Sequence, residues 1–138
     1  MSQVVFVCEH GAAKSVLAAT YFNQLAERSG LSVHAVARGT VPDAEVPRAV
    51  VEGLTRDGLA PCTLIPAALA AEDWADARHV VTFDQPQVTS LVPDPTRVIA
   101  WNDLPPVSAD FAIARDAIFA RVRGLIADLG PGDAPGGG

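Results

Sequence analysis

Lysine, tyrosine and methionine each occur once in the 138 residues, and cysteine only twice. Two cysteines, Cys8 and Cys62, are too few for a disulfide-stapled scaffold, and both are expected to stay reduced. Acidic residues outnumber basic ones, 16 against 10, for a net charge of −6. That sign repels a nucleic-acid backbone or an anionic membrane surface, so neither is expected as a partner. No apolar run approaches the roughly 20 residues that cross a bilayer. The first residues lack the basic stretch and cleavage site of a signal peptide, which makes the cytoplasm the expected location. The histidines and cysteines show no metal-ligand spacing, and no metal or organic cofactor is expected. Apolar residues, at 49% of the chain, exclude disorder over most of its length. The length suits one domain. It is expected over residues 1–129, with a flexible Gly/Pro-rich tail at 130–138. A monomer or weak homodimer is the expected assembly.

What remains is an alternation of β-branched runs and helical stripes. Residues 3–7 form the apolar run of a buried parallel strand. Over 15–29, Leu17, Ala18, Tyr21, Phe22 and Leu25 recur at helical spacing, with Gly30 as the C-cap. A second strand is expected at 32–37 and a second helix at 45–57, with Pro47 in its first turn and Gly58 at its end. A short helical piece at 70–76 leads to a third strand at 79–83. A helix start follows, with Asp84 as N-cap and Pro86 in the first turn. A fourth strand at 96–100 precedes a long helix whose stripe is Phe111, Ala114, Ile118, Val122, Leu125 and Leu129. The pattern predicts a three-layer α/β fold, a four-stranded parallel sheet with helices on both faces. Such sheets bind ligands at the carboxyl ends of their strands. The loops after Val7, Ala37, Phe83 and Ala100 are therefore the ones to read.

The first of these loops holds the densest chemistry. Cys8 ends a strand, and Glu9-His10-Gly11-Ala12-Ala13-Lys14-Ser15 runs directly into a helix. Successive N–H groups at a helix N-terminus make an anion site, and the same field favours a thiolate nucleophile. Gly11 permits the positive φ that a loop curled around an oxyanion needs. Ser15 offers a hydroxyl to the thiolate or to the helix end. Lys14 puts a cation at the lip, where it opposes the helix dipole unless an anion is bound. His10 stands where it could contact substrate or thiolate, or equally face solvent. Glu9 reads as a solvated residue, since its charge would repel a dianion.

In order and spacing, these features resemble the low-molecular-weight protein tyrosine phosphatases and the related arsenate reductases. Cys8 and Lys14-Ser15 stand where that family has Cys-x5-Arg-Ser, and Ala37-Arg38-Gly39-Thr40, Phe83-Asp84 and Asp110-Phe111 fit further stretches of it. The resemblance covers the chain to about Leu129 and implies a flavodoxin-like sheet. It implies Cys8 as nucleophile, residues 9–15 as the phosphate cradle, and Asp103 as general acid in the loop after the fourth strand. Lysine in place of arginine gives up the planar fork that grips two phosphate oxygens. His10-Gly11 replaces a Gly-Asn, and Asp103-Leu104-Pro105-Pro106 replaces an Asp-Pro loop without the tyrosines that would wall a phosphotyrosine ring.

Position supports Asp103 as the acid, because Asp94 precedes its strand and Asp110 suits a helix N-cap. If the second strand neighbours the first, Arg38 lies beside the loop as a possible accessory guanidinium, although a surface role is the one more expected of it. Cys62, within Ala60-Pro61-Cys62, reads as structural, and Trp74 and Trp101 as packing residues. The expected function is hydrolysis of a phosphomonoester, on a protein or a small molecule, through a cysteinyl-phosphate. Two alternatives stand beside it. One is reduction of arsenate with an external small thiol, since residues 80–91 lack the cysteines of a thioredoxin-coupled route. The other is a non-catalytic oxyanion-binding domain.

Overall fold

Parallel strands buried on both faces need unbroken apolar sequence, and the central strand of the sheet has it. In the computed structural model, which describes residues 3–133, strand β1 (Gln3–Cys8) is fully buried from Val4 to Val7. It pairs in parallel with β2 (His34–Gly39) on one side and β3 (Ala77–Thr82) on the other, and β4 (Val98–Ala100) closes the far edge. The strand order is β2-β1-β3-β4, the doubly wound arrangement predicted, with the ligand edge at the carboxyl ends of the paired strands β1 and β3.

Alternation along the strands divides the core. Val4, Phe6 and Cys8 face one layer, which holds α1 (Lys14–Arg28), α2 (Arg48–Arg56) and α4 (Phe111–Asp133). Phe6, Phe22, Phe83 and Trp101 form an aromatic cluster on that side. Val5 and Val7 face the other layer, under Trp74 of α3 (Ala71–Ala75) and Val88 of a 3₁₀ turn, Pro86–Ser90. Helices thus cover both faces.

Several boundaries differ from expectation. Helix α2 starts at Arg48, because Pro47 takes the extended conformation (ψ 144°) of a residue preceding a helix. Strand β4 is cut to Val98–Ala100, since the side chain of Asp94 bonds the N–H of Thr96 and folds Pro95–Arg97 into a 3₁₀ turn. Asp84 is not an N-cap. It adopts φ 58°, and Gln85 takes the cap position before Pro86. Helix α4 continues to Asp133, four residues past the expected domain end. Leu129 is buried and holds the preceding turn, so the helix runs on through residues whose own propensity opposes it. Residues 134–138 of the expected tail lie outside the described residues. Among the described residues, no helix is long and apolar enough to cross a membrane.

Candidate active site

The segment linking β1 to α1 turns its carbonyls one way and leaves its amides free. The carbonyls of Cys8, Glu9 and His10 accept from the N–H groups of Thr40 (3.2 Å), Val41 (2.7 Å) and Asp43 (3.0 Å). Among the described residues, the N–H groups of residues 10–13 donate to no backbone carbonyl or side chain. Gly11, at φ 63°, makes the turn. Its backbone lies so close to Gly39 that a Cβ on either residue would come within 2.7 Å of the other's nitrogen. Unpaired amides at the mouth of a helix, held in place by bonds on their far side, are what an oxyanion needs.

Cys8 sits at the floor of this cradle, with Sγ 3.0 Å from Oγ of the fully buried Ser15. Above it opens a cavity of about 450 Å³, lined by residues 8–10 and 12–14, by Asp43 and Pro47, by Phe83 to Gln85 and by Pro106 to Ser108. Four chain segments at the carboxyl edge of the sheet meet there. The hydroxyl of Thr40 donates to Gln85 Oε1 (2.7 Å), and the N–H of Asp84 donates to Asn102 Oδ1 (2.9 Å), which tie neighbouring loops together.

The expected site residues are only partly brought together. Cys8, the loop and Ser15 converge as expected. Lys14 lines the cavity, but its ammonium donates to the carbonyl of Leu104 (3.2 Å) and lies 3.6 Å from an Asp84 oxygen. It ties the loop after β4 to the start of α1. His10 is half exposed and lies between carboxylates, 3.3 Å from Glu9 and 3.2 Å from Asp43.

Arg38 does not join the site. It pairs with Val7 in register and so projects from the face opposite Cys8. There its Nε donates to Asp73 (3.1 Å), a buried carboxylate that also accepts from the N–H of Ala70 (2.8 Å). Asp103 is not among the cavity residues. It is exposed and receives a 2.6 Å bond from Arg121 of α4, a guanidinium that holds its carboxyl below the usual range. Asp94 bonds Thr96, and Asp110 caps α4 through the N–H of Ile113. Cys62 lines a different cavity, with Thr20 and Asn23. Desolvation there pushes its thiol pKa up.

Sequence reasoning missed Asp43 and the wall formed by residues 106–108. Asp43 had no signal, lying in an irregular stretch that only the hydrogen bonds to the loop bring near. Asp84 had one, since it follows Phe83 at the carboxyl end of β3; its left-handed φ, uncommon outside glycine, is seen only in the structure. Among the described residues no cluster of His, Cys, Asp or Glu could hold a metal ion.

No curated protein matches the chain. Several solved structures share its fold. The low-molecular-weight protein tyrosine phosphatase of T. tengcongensis superposes with a TM-score of 0.83 at 18% identity, over 94% of this chain and 100% of that one. A structure of the arginine phosphatase YwlE, a Bacillus subtilis protein, gives 0.80 at 21% identity over 92% and 95%. An arsenate reductase of Archaeoglobus fulgidus gives 0.72 at 25% identity over 90% and 98%. The model of the low molecular weight phosphotyrosine protein phosphatases matches residues 3–101, a span that contains Cys8, the cradle and three of the four loops that meet at the cavity. On that match, the chain belongs to the low-molecular-weight phosphotyrosine protein phosphatase family.

Proposed function

We propose that the chain hydrolyses phosphomonoesters through a cysteinyl-phosphate. One observation carries this reading: a thiol at the floor of a cavity, hydrogen-bonded to a buried serine and ringed by amides that have no partner among the described residues. The Cys8 thiolate attacks phosphorus in line with the leaving oxygen, so the S–P bond forms as the P–O bond breaks. Charge spreading over the three remaining phosphoryl oxygens falls on the amides of the cradle and the N-terminus of α1. The departing oxygen takes a proton from an acid, and water then displaces the thiolate to release phosphate.

Asp103 is the proposed acid. An exposed ion pair such as Asp103–Arg121 is weak, and residues 101–106 carry no helix or strand to resist the swing into the cavity. Lys14 keeps that loop anchored through the Leu104 carbonyl, so it serves as a positioning residue here. Phosphate release from p-nitrophenyl phosphate by the intact protein, lost in Cys8→Ser, tests the reading. Turnover of arsenate with a small thiol, without phosphatase activity, would assign the chain to the arsenate branch instead. Saturable phosphate binding with no turnover of either compound would make it a binding domain.

A further inference from the structure

The phosphoryl group fits the floor of the cavity, but its carrier must pass the mouth, and the mouth is acidic. Glu9, Asp43 and Asp84 all line it, with side chains 60%, 49% and 55% exposed. Among the described residues that line it, two can carry positive charge. The His10 imidazole is shared by Glu9 and Asp43, at 3.3 and 3.2 Å. The Lys14 ammonium is engaged by Asp84 and by the Leu104 carbonyl. Even with His10 protonated, carboxylates outnumber cations, and no arginine lines the cavity. A floor built to hold a dianion thus lies beneath a rim that repels one. Such a rim discriminates between carriers, favouring those that bring their own positive charge and rejecting neutral or acidic ones.

Resting on the phosphatase reading, we propose that the substrate carries a cationic group close to its phosphoryl group, and that Glu9, Asp43 and Asp84 are specificity-determining residues which receive it. A phosphorylated side chain flanked by lysine or arginine has this chemistry, as does a small phosphate ester bearing an amine. Pro47, Phe83 and Val107 add apolar surface to the cavity lining for whatever joins the two charges.

The test holds the leaving group constant. Phosphotyrosine methyl ester, with a free amine, is compared with its N-acetyl derivative. Phosphotyrosine peptides flanked by lysine, alanine or glutamate form the second arm. The cationic member of each set is expected to show a kcat/KM about five- to tenfold higher, the size of two or three screened ion interactions. Added salt should compress the ratio, and Asp43→Asn should reduce it by about twofold. A larger preference among the peptides assigns a polypeptide substrate; a preference confined to the amino ester assigns a small molecule. Equal rates in both arms, or preference for glutamate, would overturn the proposal while leaving the phosphatase reading intact. Failure to hydrolyse any of these compounds or p-nitrophenyl phosphate would overturn both.

Discussion

Lys14 and Arg38 show how a residue's chemistry and its placement part company. Both are cations at the carboxyl end of the sheet, and the sequence offers both to the phosphate. One is pulled into the cavity wall by a backbone carbonyl; the other is carried to the far face by strand alternation. Lys14→Met removes the donor to the Leu104 carbonyl and frees Asp84. Its stability loss is expected to be small, about 1 kcal/mol for a lost hydrogen bond. Turnover of an alkyl phosphate should fall by about tenfold or more as the loop that carries Asp103 loses its anchor, with positioning effects of this kind reaching ~10²-fold. A variant that keeps full turnover would remove Lys14 from the positioning role. Arg38→Ala is the opposite case. It leaves buried Asp73 with the Ala70 amide as its remaining partner, and should cost about 1–3 kcal/mol in urea unfolding. Activity at temperatures where the variant is folded should be unchanged, and a loss there would return Arg38 to the site.

At the scale of elements, strands and helices were legible in the sequence because burial writes its period into them. Val4 to Val7 could hardly be anything but a central strand, and the α4 stripe names its own buried face. The loops were less legible, since their geometry comes from contacts with other loops. The cradle keeps its shape through the 40–43 segment, and the near contact of Gly11 with Gly39 is a property of the pair. Gly39→Ala puts a Cβ 2.7 Å from the Gly11 nitrogen and 2.8 Å from a His10 carbonyl carbon, and backbone must move. Such overpacking is expected to cost about 1–3 kcal/mol and to raise the KM for phosphate esters, whereas Gly124→Ala, on an exposed turn of α4 with open space around it, should leave KM alone. The place of Asp103 after β4 was legible, but not its partner, because Arg121 arrives from a helix far along the chain. That partner sets a pH effect. Arg121 lowers the Asp103 pKa, so the protonated acid disappears at lower pH than for an ordinary carboxyl. Arg121→Gln lets the pKa return upward. The protonated form, and with it the rate on alkyl phosphates, should then persist to higher pH. Nitrophenyl phosphate, whose leaving group needs little protonation, serves as the control. An unmoved alkyl phosphate profile would take the acid role from Asp103 and pass it to Asp84.

Across the whole molecule, the site is only as well placed as the seams between layers. The family match ends at residue 101, yet the cavity wall at 106–108 and the partner of Asp103 both lie beyond it. Their position depends on where α4 begins, and α4 begins at Phe111, packed on α2. Gly53 is buried within α2 because the Phe111 ring occupies the space a side chain would need: a Cβ there would lie 2.0 Å from a ring carbon. Two opposing effects meet at this position. Alanine is worth about 1 kcal/mol more than glycine in a helix interior, while forcing a packed aromatic ring aside costs about 1–3 kcal/mol. Packing is expected to win, so Gly53→Ala should lower the urea midpoint although propensity alone predicts the reverse. The displaced ring is the first residue of α4, so the loop that holds Leu104, Pro106 and Val107 must shift with it. The variant should therefore also show a raised KM for p-nitrophenyl phosphate, at a site none of whose cavity residues has been altered. A Gly53→Ala protein more stable than the parent, with unchanged KM, would mean that the α2–α4 seam yields without moving the loop, and that the cavity wall is set by the Lys14 anchor alone.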